Sequence, residues 1–363
     1  MKKQLLSVRS RETPYGTSRQ AKQHGFSMVE LLAATAVFLI VSSTAFMLVR
    51  RHQPLYNQQQ NLSALNVGLR NAMAQLQVDL SNAGTGFYVG ANIPAFPIGV
   101  TLLNNPAAAS CYDPATHTYS STCFDSLHII STDPNTPVVH PTDIGTNCVS
   151  TTSSTAFVNV PTGMTAAQLA AQFMDGDQLL FLKGDGSQMA TVVMSQDGQV
   201  SGNKVNLQHN PTAADGTNDP IYDPLGISVN PNNKLGTTFC DDDWVLKLSP
   251  ISYSVDTTDP TNPKLMRRRG GVSDVVADQV IGFKVGGTLW NDATLTSSEE
   301  YSFNNASYGY DYTRVRSVRV SLIGRTQPNP DPTYTFRNPF DGGPYQIQGI
   351  SIVVNPRNLS MKD

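Results

Sequence analysis

GFSMVELLAATAVFLIVSSTAFMLV, residues 25–49, is the stretch whose reading decides the architecture. From Phe26 to Val49 an apolar run of 24 residues is interrupted by one charge, Glu30. As an α-helix rising about 1.5 Å per residue it reaches about 36 Å, enough to cross the ~30 Å hydrocarbon core of a bilayer. Ahead of it lie Lys2, Lys3, Arg9, Arg11, Arg19 and Lys22 against the single acid Glu12. The positive-inside rule keeps that flank cytoplasmic and sends everything beyond Arg50 and Arg51 outside or into the periplasm. Ser43-Thr44-Ala45 offers a small-residue cleavage site of the ordinary secretory kind, with a mature start at Phe46. The apolar run, however, exceeds the roughly 7 to 15 residues of a usual signal core.

Downstream, Leu62, Leu65, Leu69, Met73, Leu76 and Leu80 recur at steps of three and four. That spacing predicts an amphipathic helix over 50–84 with one buried face. Pro54 is expected to kink or break it, and Ser81-Asn82-Ala83-Gly84 to end it. Beyond Phe87 the helical period disappears, apart from a short stretch at Thr165 to Phe173. Strand-like runs take over: Ala156 to Val160, Gln178 to Leu182, Ala190 to Met194, Trp244 to Leu248, Val275 to Val285, Val315 to Ile323 and Tyr345 to Val354. Gly, Pro, Asn and Asp turns separate them. The expected fold is α+β, with a long N-terminal helix packed on a twisted antiparallel sheet with long loops.

Across 363 residues the chain holds 27 Gly and 23 Pro, only 15% charged residues and a formal charge of −3. Six Lys/Arg and one Glu fall in the first 25 residues, so the remainder carries 19 bases against 27 acids. An acidic body opposes the phosphate backbone and makes nucleic acid a disfavoured partner. Cys111, Cys123, Cys148 and Cys240 lack zinc-ligand spacing, and no metal site or cofactor is expected from them. Two disulfides fit better: Cys111 with Cys123 around a short loop, and Cys148 with Cys240 around a long one. Such bridges imply an oxidising compartment, the alternative being four reduced thiols in the cytosol.

The order Gly25-Phe26-Ser27-Met28-Val29-Glu30, at the junction of basic leader and apolar run, resembles the signal of type IV prepilins. The resemblance implies cleavage after Gly25 by a prepilin peptidase and N-methylation at Phe26. It divides the chain into a leader (1–25), a membrane-spanning half-helix (26–49), an amphipathic half-helix (50–84) and a β-rich head (85–363). Glu30 would be the assembly register, pairing with the α-amino group of a neighbouring subunit. A carboxylate in lipid costs roughly 2.5 to 3.5 kcal/mol, so a partner is called for unless Glu30 snorkels to the membrane face. Ser27 and Met28 stand where the family more often has Thr and Leu.

Blocks of the body resemble PilW-type minor pilins, related to the J pseudopilins of type II secretion. They are Asp79-Leu80-Ser81-Asn82-Ala83-Gly84, Gly176-Asp177-Gln178-Leu179, Lys264 to Arg268, Val275 to Phe283, Val315 to Leu322 and Asn355-Pro356-Arg357-Asn358. Residues 88–170 and 200–240 match nothing in that family. By this resemblance the head lies in the periplasm and then at the pilus tip. The partners are other minor and major pilins and the inner-membrane assembly machinery.

No catalytic constellation is visible among the six scattered histidines, and an enzyme is not expected. Arg267-Arg268-Arg269 is the one basic run of the body. It reads as a solvated hairpin edge, with a ligand surface for DNA as the minority alternative. Asp241-Asp242-Asp243 and Asp175, Asp177 and Asp185 read as turn and cap residues rather than calcium ligands. Tyr301, Phe303, Tyr308, Tyr310 and Tyr312 read as a recognition loop or a loop packed on itself.

Intact mass and N-terminal sequencing of the membrane-extracted chain, made with and without its prepilin peptidase, should give a methylated Phe26 start only with the peptidase. A start at Phe46, or an untrimmed Met1, refutes this reading.

Overall fold

The computed structural model describes residues 26–87, 98–105, 111–143, 145–210, 233–270, 272–291, 293–301, 314–329 and 334–359. Contacts divide the chain into two units, residues 1–58 and 59–363. A single helix, α1 (Met28–Ser81), begins in the first unit and ends in the second. Its residues in the first unit are almost all exposed. The expected break at Pro54 does not occur, since helix is continuous on both sides of it. Proline there removes one N–H and crowds one turn, at about 3 kcal/mol, while the helical residues on either side keep their own hydrogen bonds.

Within the second unit, Leu69, Ala72, Met73, Leu76, Asp79 and Leu80 form the buried face of α1. After Ser81 the chain reverses through Gly84 at φ +71° and Gly86 at φ +87°. A Cβ on Gly86 would lie 1.7 Å from Thr132 Oγ1. Glycine is therefore required both by the left-handed backbone and by the close approach.

The head begins with β1 (Gly99–Leu103), the ribbon β2 (Tyr112–Asp113) and β3 (Thr118–Tyr119), β4 (Ser126–Thr132) and β5 (Pro141–Thr142). Next come β6 (Cys148–Val149), β7 (Thr155–Asn159), the short helix α2 (Ala166–Ala170), β8 (Gln178–Leu182) and β9 (Met189–Val193). They are followed by β10 (Gln199–Ser201), β11 (Lys204–Gln208), β12 (Phe239–Cys240) and β13 (Trp244–Asp256). The chain continues through β14 (Lys264–Arg269), β15 (Val272–Ala277), β16 (Val280–Asn291), β17 (Thr296–Glu300), β18 (Val315–Arg325) and β19 (Ile347–Val354). Thr165 caps α2 in a reciprocal box with Gln168, which is why so short a helix starts where it does.

The single sheet expected from the sequence is, among the described residues, several sheets. One follows the order β1-β4-β13-β14-β15, with the hairpin β8–β9 attached to β13. A second is β17-β16-β18-β19, and a third is β10-β11-β7-β5. The run Val275 to Val285, read as one strand, is cut at Asp278-Gln279 and divided between β15 and β16. Gln279 takes φ +56°, and its side chain is held by Thr261 O and by Arg325 Nε. An apolar run reports burial on both sides of that turn but not the turn itself.

β13 is the spine. Its first four residues pair with β8, and Leu248 to Tyr253 pair with β4. The strand lies between two hydrophobic cores. The first joins the buried face of α1 to Leu127, Tyr253, Leu265, Phe283, Val318 and their neighbours. The second gathers Val158, Leu169, Phe173, Val205, Leu207 and Phe239. β8 serves both, with Leu180 and Leu182 in the first core and Leu179 and Phe181 in the second. Period-2 alternation in a strand buried on both faces produces this division.

His128, on β4, is 7% exposed, and its Nδ1 finds no hydrogen-bond partner among the described residues. Burial alone lowers its pKa to about 4. An unfolded histidine titrates near 6.5, so between about pH 6.5 and 4 the unfolded chain binds a proton that the folded chain refuses. Stability is then expected to fall as pH drops through that window, by up to about 3 kcal/mol. Urea midpoints across the window should show the slope in the native chain and a flattened one in His128→Gln.

Candidate functional site

Phe26 and Ser27 precede the first helical turn, and Phe26 is 89% exposed. Ser27 caps α1. Its Oγ accepts from Glu30 N at 3.2 Å, while Glu30 Oε2 accepts from Ser27 N at 2.9 Å and from Ser27 Oγ at 3.1 Å. This is a capping box, and the spacing Ser27-Met28-Val29-Glu30 announces it in the sequence. Glu30 thus has local hydrogen bonds in the isolated chain but no opposite charge among them. The exposed apolar residues that follow make a helix long and apolar enough to cross a membrane. Gly25 and the basic leader lie outside the described residues.

At the other end of α1 a polar cluster fastens the helix to the sheet. Asp79 is 7% exposed, yet its carboxylate accepts from Arg267 Nε at 2.7 Å, from Arg267 Nη2 at 3.2 Å and from Gln75 Nε2 at 3.2 Å. The hydroxyl of Tyr253, itself fully buried, donates to Asp79 Oδ2. Tyr253 and Arg267 are direct partners across β13 and β14, so both project from one face of the sheet. Burial and the adjacent carboxylate push the Tyr253 phenol up, and the Asp79 bonds raise the Arg267 guanidinium further. Sequence reasoning missed this pair, although Asp79 stands three residues after Leu76 and seven after Ala72, in the buried stripe.

The arginine run therefore needs correction. β14 lies between β13 and β15, so it is not an edge, and Arg267 is a half-buried ion-pair partner of Asp79. Arg268 is partly buried and Arg269 is exposed. The four cysteines pair as Cys111–Cys123 and Cys148–Cys240. Asp243 is 2% exposed and accepts from Lys183 Nζ at 2.9 Å, Gly184 N at 2.9 Å and Cys240 N at 2.7 Å. Burial pushes its carboxyl up, and these three donors together hold it below the usual range. The acidic triplet thus contributes a structural hub beside the long-range disulfide. Asp185 accepts from Ser187 N in a turn, and Asp177 pairs with Lys247. Of the aromatic loop, Tyr301 is exposed, and Phe303, Tyr308, Tyr310 and Tyr312 lie outside the described residues.

The family described as the prokaryotic N-terminal methylation motif matches residues 20–46. No curated protein sequence matches the chain. Among solved structures a type IV-like pilin from Thermus thermophilus is similar over part of its length, at 16% identity and a TM-score of 0.18. The match covers 31% of this chain and 66% of that one, just under two thirds of its length.

Arg267→Ala would leave the Asp79 carboxylate buried without its cation, at a cost of about 3 kcal/mol or more. The paired replacement Asp79→Leu with Arg267→Met should recover most of that loss, because no uncompensated charge remains. Chemical denaturation of the two variants checks both the loss and its recovery.

Proposed function

We propose that the chain is a type IV pilin-like structural subunit rather than an enzyme, and more closely a minor pilin placed at or near the tip of a type IV pilus. The observation that carries the reading is Glu30, an acid inside an exposed apolar helix that begins with the methylation motif. The capping box provides its carboxylate with neutral donors, which is adequate at a helix N-terminus in water. Inside a bilayer or a packed bundle of helices the charge requires a cation. The α-amino group released by cleavage before Phe26, with an ordinary pKa near 7.7 to 8.0, supplies one from a neighbouring subunit.

Processing is supported by Phe26, which is exposed and lies ahead of the first helical turn. A start at Phe26 leaves residues 26–49 to span the membrane and the disulfide-bearing head in an oxidising compartment. The tip position draws its support from the second core of the head. A subunit repeated along a filament must fit neighbours on both sides, whereas a terminal subunit has one side open for added bulk. The partners are prepilin peptidase, other pilins and the assembly machinery of the inner membrane. The J-type pseudopilin of a type II secretion system shares this chemistry.

Glu30→Ala should leave membrane insertion and trimming intact while reducing filament incorporation at least several-fold. Gold labelling of the head should mark filament ends. Normal incorporation of the variant overturns the register role, and labels along the shaft overturn the tip position. A deletion that stops protein secretion and spares surface pili assigns the chain to a pseudopilus instead.

A further inference from the structure

Where β8 and β13 separate the two cores, the surface opens into a polar cavity of about 270 Å³. Its polar wall is Asp133, Asp177, Gln178, Lys247, Ser249 and Arg269. In volume the cavity is just below the ~300 Å³ at which pockets for drug-sized ligands begin. Its occupant is therefore about the size of one small ring.

The charges of the wall are already matched to one another. Lys247 Nζ lies 2.7 Å from Asp177 Oδ2 and 3.6 Å from Asp133 Oδ2, and it donates to Gln172 O at 2.8 Å. Both side chains of each pair are mostly buried. Arg269, exposed at the mouth, donates to Ser249 Oγ at 3.3 Å. Two cations and two anions leave no net charge for a charged ligand to neutralise, and burying such a ligand would carry its full desolvation cost.

The second observation is Gln178. It is 3% exposed, and among the described residues its Oε1 receives no hydrogen bond. An amide oxygen in that state costs about 1 to 3 kcal/mol, a penalty that a turn of the Gln178 side chain toward a donor in the cavity it lines would remove. Gln178 is the first residue of β8, and pairing with Val193 fixes its backbone there. The wall thus offers acceptors at Asp133, Asp177 and Gln178 and donors at Arg269, with Ser249 able to serve as either.

The geometry points to a binding site for one neutral, hydroxyl-rich ring, a monosaccharide that is either free or the end of a glycan. A sugar hydroxyl donates and accepts at once, which suits a wall of mixed acceptors and donors without net charge. This assignment concerns the head alone and is independent of the filament in which the chain is placed.

The test uses the full chain in a non-glycosidic detergent, since a sugar-headed one would occupy the site. Saturation-transfer NMR is run with glucose, galactose, mannose and N-acetylglucosamine, and with short oligosaccharides ending in each. At least one sugar should bind, and Arg269→Ala and Gln178→Leu should each weaken it about tenfold or more. Tighter binding of the oligosaccharide identifies a glycan as the source, and binding of the free sugar alone identifies a soluble one. The proposal is overturned if no sugar binds, or if Arg269→Ala, a surface change with little bearing on folding, leaves affinity unchanged. Preference for acetate, inorganic phosphate or glycine over every sugar also overturns it.

Discussion

A carboxylate buried in the last turns of a helix needs a cation, and much of the head is arranged around that need. Asp79 is carried inward by the same face that buries Leu76 and Leu80. It is neutralised only because β13 and β14 pair in the register that sets Tyr253 opposite Arg267. A one-residue slip of β14 would turn Arg267 to the other face and leave the carboxylate alone in the core. The ion pair adds little over an apolar contact of the same shape, but breaking it is expensive. That asymmetry makes it a determinant of register as much as of stability.

The same sheet supports the rest of the head because β13 changes partners along its length. Its start binds β8 and the second core, and its later residues bind β4, β14 and the first. The Cys148–Cys240 bridge closes the segment that builds the second core, a separation of 92 residues. Loop-closure entropy assigns such a bridge about 4.6 kcal/mol. Asp243, three residues beyond Cys240, binds Lys183 and the Gly184 N–H, which ties the bridge to the β8–β9 hairpin. Strand pairing, disulfide and buried carboxylate therefore restrain one another.

A second polar network stiffens the region around the short disulfide. Arg325 is 2% exposed and donates to Gln279 Oε1, His117 O and Thr261 O, with its guanidinium 4.8 Å from the Tyr345 ring centre. The hydroxyls of Tyr119 and Tyr345 both donate to Asp341. Burial pushes that carboxyl up, but the two phenols, Asn338 and the Gly343 N–H outweigh it and hold the group low. Among the described residues, three carbonyl-type oxygens and the face of an aromatic ring thus satisfy this guanidinium.

What the sequence determined by itself was whatever depends on near neighbours. The basic leader, the Gly25-Phe26 junction, the acid at Glu30, the apolar run, the stripe from Leu69 to Leu80 and the strand at Gln178 to Leu182 are all properties of consecutive residues. Periodicity over a few turns reports which face is buried. It does not report against what. The destination of Arg267 was decided by an acid 188 residues earlier in the chain. The division of Val275 to Val285 into two sheets was decided by Thr261 and Arg325, which hold Gln279 in a left-handed turn. The existence of a second core was decided by the two faces of β8. Each of these outcomes is a pairing between distant segments, and only the tertiary structure chooses the partner.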